Sequence, residues 1–271
     1  MKLQQTMGVI ACTLGAFVGG VLFPQQASAD DAAELAKKLN NPIAALISVP
    51  IKIDWDTNIG PADADRTSYT VQPVIPFSLN DKVNVISRTI VPVYIDAESP
   101  VKGGGDTYGM GDIVQSFFFS PKAPTAGGWI WGAGPALSLP TGDDGLTSDK
   151  FSLGPTGVVL KQVGGWTYGG LFNHLWSVSG DDDRSSVSNT FLQPFLVYTT
   201  KKSTTFGLNT ESSYDWKASE WTVPINLTLS QLIKVGKRPI SLQAGYRNYV
   251  DAPKGGPDWG LRFQVTLLFP K

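Results

Sequence analysis

The sequence has almost no cysteine or histidine. Among its 271 residues, Cys12 is the only cysteine and His174 the only histidine. Because we predict below that the segment containing Cys12 is removed, the rest of the chain has no thiol for a disulfide or a thiolate metal site. A single imidazole without a thiol also argues against a transition-metal centre. We therefore predict that the protein has no metal and no cofactor.

Excess charge and long apolar runs are also lacking. The 22 basic and 23 acidic residues nearly cancel, so nothing indicates a nucleic-acid partner. After Asp30 no run approaches the roughly 18 consecutive apolar residues of a membrane helix. Aromatic residues and glycine are plentiful, with 8 Trp, 8 Tyr, 13 Phe and 29 Gly. This composition leaves two classes, a soluble β-protein or an outer-membrane β-barrel.

The first 29 residues have the pattern of a secretory signal peptide. Lys2 gives a positive start, an uncharged apolar run covers 7–22, and Ala27-Ser28-Ala29 forms a small-x-small cleavage site before Asp30. A retained helical anchor fits less well because the run is short. A lipoprotein signal fits poorly because Cys12 lies inside the run. We predict a signal peptide over 1–29, a periplasmic helix or partial plug over 30–41, and a barrel over 42–271.

From Pro42 onward the sequence alternates apolar and polar residues in segments of about ten, which is typical of transmembrane barrel strands. Four segments alternate cleanly: 47–55, 221–230, 240–247 and 261–269. Eight noisier segments complete a set of twelve: 67–79, 83–94, 111–119, 129–139, 151–162, 166–178, 190–199 and 204–214. The fold class predicted is all-β, a transmembrane antiparallel barrel of about twelve strands with a short N-terminal helix.

The connections between these segments differ in charge. Every second connection is rich in Asp and Glu, whereas the intervening turns contain mainly Lys and Arg, with Asp81 as their one acid. A soluble sandwich has no reason to sort charge in this way, so the pattern favours a barrel with acidic loops outside and both termini periplasmic. Seven tryptophans lie near strand ends, where interfacial aromatic girdles form. They are Trp55, Trp129, Trp131, Trp166, Trp176, Trp221 and Trp259.

The last strand is similar to the C-terminal β-signal read by the barrel-assembly machinery, through Gly260, Phe263, Val265 and Phe269. More specifically, the chain resembles a family of outer-membrane transporters named for the meta pathway of phenol degradation, some members of which carry the name neuromedin U. NPIAALISVPIKID (41–54), GDIVQSFFFSPK (111–122) and WGLRFQVTLLFPK (259–271) are among the segments that carry this resemblance. It implies an outer-membrane barrel with a transport role, and no functional residues.

The candidate site is the barrel lumen. If the clean apolar faces point to lipid, Lys52, Arg247 and Arg262 point inward from the first strand and the last two. Barrel closure makes these strands neighbours, so the three cations form one basic stripe. Arg88, Asp112 and Glu211 are further candidates for lumen positions. Rings of fixed charge select ions in pores, whereas a satisfied salt-bridge network would only rigidify a narrow barrel. Both interpretations stay open.

An enzyme is the less favoured alternative. Twelve-stranded barrel lipases use Ser, His and Asn, and His and Ser must project from one face to share a proton. Ser177 and Ser179 are odd numbers of residues from His174, which places them on the opposite face of a strand. We therefore interpret His174 as interfacial or packed. Asp143-Asp144 and Asp181–Asp183 read as solvated loops, which Ca²⁺ or Mg²⁺ would bridge to lipopolysaccharide phosphates.

These observations predict a passive channel for small solutes, which the resemblance extends to aromatic or hydrophobic compounds. The partners expected are outer-membrane lipid, lipopolysaccharide, the assembly machinery and the solute. The alternatives are a plugged barrel acting in envelope integrity or adhesion, and then a barrel lipase.

Overall fold

The computed structural model describes residues 29–236 and 238–270. The predicted signal peptide, with Ala27 of its cleavage site, lies outside these ranges except for Ala29. Ala29 and Asp30 open helix α1 (Ala29–Leu39), close to the helix or partial plug predicted over 30–41. Within the described ranges, no helix combines the length and the apolar character needed to cross a membrane.

The rest of the chain forms a closed antiparallel barrel of twelve strands, which confirms the predicted fold. The strands are β1 (Ile47–Ile59), β2 (Ala64–Val71 and Val74–Ser78), β3 (Val83–Ala97), β4 (Thr107–Gly109 and Ile113–Pro121), β5 (Trp129–Leu139), β6 (Lys150–Val163), β7 (Trp166–Gly180), β8 (Ser188–Thr199), β9 (Thr204–Thr210 and Ser212–Asp215), β10 (Glu220–Val235), β11 (Arg238–Asp251) and β12 (Trp259–Phe269). Each strand pairs with its sequence neighbour. The barrel closes where β12 pairs with β1, from Ile47 opposite Phe269 to Thr57 opposite Trp259.

Three strands are interrupted, and in β2 and β9 the break falls inside a segment that the sequence pattern predicted as continuous. β2 breaks at Gln72-Pro73 and β4 at 110–112, whereas β9 breaks at Glu211. Glu211 lies beside Gln193-Pro194 of β8, where the β8–β9 ladder stops after Phe195 and resumes at Leu192. Proline has no N–H to donate to a ladder, so it locally weakens pairing. The break leaves Glu211 between two paired segments.

On the strands at the barrel closure, the polar face points inward and the apolar face outward. On β1, Ile51 and Ile53 are 40% and 37% exposed, whereas Asp54 and Asp56 are 8% and 3% exposed. On β12, Phe263 is likewise exposed, whereas Arg262 is 5% exposed. This is the reverse of a soluble β-protein, and it is the arrangement of a barrel surrounded by lipid.

The two ends of the barrel differ in their connections. The helix end contains α1 and the turns 79–82, 122–128, 164–165 and 200–203, whereas the loop end contains the connections 60–63, 98–106, 140–149, 181–187, 216–219 and 252–258. Several loop-end connections are shorter than predicted, because the strands extend into them. β1 continues to Ile59, for example, and β7 to Gly180. At the loop end, these strands therefore continue beyond the ends that the sequence pattern predicted.

Two apolar clusters hold the N-terminal segment inside the helix end of the barrel. Ala36 of α1 and Leu46 pack with Leu232 and Leu268 of the wall. In addition, Ile43 packs with six inward-facing apolar residues: Val74, Ile86, Phe118, Val158, Leu160 and Leu171. Residues 29–46 therefore form a plug, and burial of its apolar side chains provides the main free energy that seats it.

Two side-chain hydrogen bonds fix the plug against the wall. Asn40 Nδ2 donates to Thr199 Oγ1 at 2.9 Å, and Gln162 Nε2 donates to the Lys37 carbonyl at 2.9 Å. The contacts lie on β6 and β8, so the plug is attached to the wall by polar groups as well as by the two apolar clusters.

We predict that Ile43→Asp releases the plug without unfolding the barrel, because a carboxylate is strongly unfavourable in an apolar cluster. Limited trypsin digestion of the folded protein in detergent should then cut after Lys37 or Lys38 much faster than in the wild type. Glu34→Asp, at an exposed position of α1, is the control and should digest like the wild type. Equal digestion of all three proteins would show that the Ile43 cluster does not hold the plug.

Candidate functional site in the barrel lumen

One arginine connects three strands of the lumen wall: β12, its neighbour β1, and β9, which lies three strands from β12. Arg262 of β12 is 5% exposed and lies directly across from Asp54 of β1 in the closing ladder. Its Nε donates to Asp54 Oδ1 at 2.5 Å and its Nη2 to Asp54 Oδ2 at 3.0 Å. The same guanidinium donates from Nη1 and Nη2 to the two carboxylate oxygens of Glu211, both at 2.8 Å. We call Asp54, Arg262 and Glu211 the crossbar.

The crossbar continues toward the loop end. Arg247 Nη1 lies 3.0 Å from Asp54 Oδ1 and 3.7 Å from Asp56 Oδ1. Asp56 also accepts hydrogen bonds from Arg66 Nη2 at 3.2 Å and from the Tyr249 hydroxyl at 2.8 Å. The predicted basic stripe is therefore largely neutralised, because Arg247 and Arg262 are paired with carboxylates from β1 and β9.

Sequence reasoning missed Asp54, Asp56, Arg66 and Tyr249 as members of the site. The signal that would have found the first two was present, because Lys52, Asp54 and Asp56 are spaced by two residues and so share one face of β1. Cations on β11 and β12 that face two carboxylates on β1 predict ion pairs across the seam, the ladder where β12 pairs with β1.

Two cavities flank the crossbar, and Glu211 contributes to the walls of both. The inner cavity, of about 220 Å³, lies between the crossbar and the plug. Its polar wall includes Lys52, Gln72, Arg88, Gln193, Asn209 and Gln264. The outer cavity, of about 350 Å³, faces the loop end and is lined in part by Arg66, Thr222, Arg247 and Tyr249. The lumen thus contains space on both sides of one ionic barrier.

Lys52 and Arg88 are placed differently from the two crossbar arginines. Lys52 Nζ donates to Gln72 Oε1 at 3.0 Å. Neither cation has a carboxylate within 4.0 Å among residues 29–236 and 238–270. Within those same residues the Arg88 guanidinium donates no hydrogen bond, although it reaches the inner cavity.

Asp112 does not join the other lumen candidates. It lies in the break of β4, and its carboxylate accepts five hydrogen bonds that fold the connection 140–149. The donors are the backbone N–H groups of Thr141, Gly142 and Ser148 and the hydroxyls of Thr147 and Ser148. The lumen prediction included Asp112 because 111–119 was interpreted as a continuous strand. The local ring of donors assigns Asp112 to loop structure.

His174 lies on the outer face of β7. Its ring centroid is 4.1 Å from that of the exposed Trp176, and its Nδ1 is 2.6 Å from Thr190 Oγ1. Ser177 Oγ accepts a hydrogen bond from the Val187 N–H at 2.9 Å and makes no bond to His174. The histidine therefore belongs to an aromatic cluster that also contains Trp216.

The aromatic residues gather in two bands on the outer surface. Near the loop end, Trp55 and Trp259 meet edge to face at 5.4 Å, and Tyr214 contacts Trp216 and Trp221. Near the helix end, Trp129 contacts Tyr168 and Trp166 contacts Tyr198. These bands are the girdles expected at the two membrane interfaces.

The residues of the predicted β-signal occupy the closing strand. Phe263, Val265 and Phe269 are exposed on the outer face of β12. Gly260 faces Asp56 in the ladder, where an added Cβ would lie 2.5 Å from the Trp55 carbonyl oxygen. Glycine is therefore required there for the seam to close.

No family model and no curated protein matches the sequence. Among solved structures, the COG4313 outer membrane channel from Pseudomonas putida F1 has a TM-score of 0.64 at 15% identity, covering 83% of this chain and 96% of that one. This chain has the fold of a bacterial outer-membrane barrel. The beta domain of the Bordetella autotransporter BrkA has a TM-score of 0.47 at 12% identity, with coverages of 83% and 100%. Outer membrane phospholipase A from Escherichia coli has a TM-score of 0.46 at 10% identity, and the match covers 89% of this chain and 98% of that one.

We predict that Arg262→Ala lowers the free energy of unfolding by about 3–5 kcal/mol, because it leaves two buried carboxylates without their partner. Urea unfolding of the protein in lipid vesicles, followed by tryptophan fluorescence, measures the loss. Arg184→Ala is the control, since its pair with Asp149 is 40% and 36% exposed and contributes only about 0–1 kcal/mol. Similar losses in both variants would contradict a stabilising crossbar.

We also predict a pH dependence of the connection 140–149. Burial raises the pKa of Asp112, but hydrogen bonds from Ser148, Thr147 and Gly142 outweigh it and hold the pKa below its usual value. The stabilisation is therefore complete above about pH 4, the ordinary range of an aspartate, and is lost as the pH falls through the lowered pKa.

Hydrogen exchange measured by mass spectrometry, corrected for the intrinsic rate at each pH, should show protection around Gly142 and Ser148 that disappears in acid. Asp112→Asn provides the control, because it cannot titrate and should show weaker protection without a pH step. A step of the same size in the variant would rule out Asp112 as its origin.

Proposed function

We propose that the protein is an outer-membrane channel for small solutes. The observation that carries the proposal is the pair of cavities that flank the crossbar, with Glu211 in the wall of both. Solutes would enter the outer cavity from the loop end, pass the crossbar and reach the inner cavity before the plug. Fixed charges along such a path select among solutes.

The orientation belongs to the same proposal. Acidic residues gather in the loop-end connections and the strand ends beside them, and basic residues in the turns of the helix end, which supports a loop end outside the cell and both termini in the periplasm. The exposed apolar face of β12 supports contact with outer-membrane lipid and the assembly machinery. Lipopolysaccharide would meet the acidic loops through divalent cations. The structurally similar Pseudomonas protein is named a channel, which agrees with this proposal.

The wall supports small polar solutes more strongly than hydrophobic ones. Charged and amide side chains form most of the inner cavity, whereas its apolar lining comes from the wall and the plug, through Leu39, Pro42, Ala44, Leu46, Pro50, Val74 and Leu171. The aromatic or hydrophobic compounds implied by the sequence resemblance would use that surface. We do not propose an enzyme, because the outward position of His174 supports an interfacial role.

A plugged structural barrel is the second candidate, and the two apolar clusters favour it. Planar-bilayer recordings distinguish the candidates. A channel should give small but reproducible conductance in the wild type and severalfold larger conductance in Ile43→Asp, because the variant frees the helix end. Glu34→Asp should conduct like the wild type. Absence of conductance and of solute flux into liposomes from all three proteins would exclude the channel.

A further inference from the structure

We infer that the inner cavity binds a small carboxylate through Lys52 and Arg88. The inference deepens the proposed channel function by naming a class of solute. It rests on that function only where it concerns the passage of the solute through the barrel. Binding itself concerns the cavity alone, so it is measured without a membrane.

The first argument is the charge of the wall. Four cations, Lys38, Lys52, Arg88 and Arg262, line the inner cavity against one carboxylate, Glu211. Both oxygens of Glu211 are already bonded to Arg262. Arg262 is also paired with Asp54, and Lys38 is exposed. With Asp54 counted and Lys38 left out, the enclosed part of the wall has a net charge of +1, in a confined space where uncompensated charge is unfavourable. An anion relieves this excess, whereas a cation increases it.

The second argument is the placement of Lys52 and Arg88. They lie on β1 and β3, on either side of β2: Lys52 is opposite Thr70, before the break at Gln72-Pro73, and Arg88 is opposite Val74, after it. Gln72 accepts one of the three ammonium protons of Lys52 and leaves two to donate. The guanidinium of Arg88 presents a planar fork that matches a carboxylate in two parallel hydrogen bonds.

The third argument is the remainder of the cavity. The amides of Gln193, Asn209 and Gln264 line it beside the cations, and Val74 and Leu171 form an apolar part near the plug. A volume of about 220 Å³ limits the ligand to a small molecule. The lining therefore fits one carboxylate attached to a short apolar body.

Isothermal titration of the full mature protein in detergent, in chloride-free buffer, tests the inference. Benzoate is the probe, and benzyl alcohol, with the same ring and no charge, is its neutral partner. The wild type should bind benzoate at least about tenfold more tightly than benzyl alcohol, which corresponds to roughly 1.4 kcal/mol. The double variant Lys52→Gln/Arg88→Gln should lose this preference, and each single variant should weaken benzoate binding.

Arg184→Gln removes a charge from the loop end, away from the inner cavity, and should bind like the wild type. Resistance of every variant to unfolding in cold SDS verifies that the barrel is intact. The inference is overturned if the wild type binds no benzoate, if both probes bind equally, or if the folded double variant keeps the preference. Conductance without benzoate binding also rejects it, whereas benzoate binding without conductance supports it and rejects the channel.

Discussion

The structure depends on one buried guanidinium held between two carboxylates, one from β1 and one from β9. Arg262 satisfies Asp54 across the seam and Glu211 across the lumen, so three strands that are not all neighbours share one polar centre. Removing any partner leaves an uncompensated charge in a narrow space. The crossbar therefore fixes the width of the polar side of the lumen and divides its free space into two cavities.

The other side of the lumen is organised by hydrophobic burial. Ile86, Phe118 and Leu160 are completely buried and receive Ile43 of the plug. If the walls were entirely polar, the N-terminal segment would have no apolar surface to pack against, and a short helix is not stable alone. The interior is thus divided into a polar side that contains space and an apolar side that is filled.

The sequence was sufficient for the twelve strands because their period-two pattern is local and repeats around the barrel. It also gave the inward direction of Lys52, Arg247 and Arg262, because β1, β11 and β12 alternate without interruption. The partners of these cations were harder to predict. Glu211 contacts Arg262 through the lumen, and these residues lie on strands separated by two others. A local alternating pattern in the sequence does not predict such a contact.

The misplacement of Asp112 has a similar physical origin. A carboxylate at the start of an apolar run resembles a lumen residue, but its five donors come from a connection about thirty residues later. Loop structure built by one side chain leaves no periodic pattern. The interruptions of β2 and β9 were missed because proline and a single unpaired residue hardly disturb an alternating pattern.

The seam also has a consequence for the order of folding. Asp54 and Arg262 are 208 residues apart, and they meet only when the first and last strands come together. Contacts between such distant residues form late, because the loop entropy must be lost before the contact is gained. The ion pair therefore coincides with closure of the cylinder, and an open intermediate would present Asp54 and Arg262 as separate charges on its two free edges.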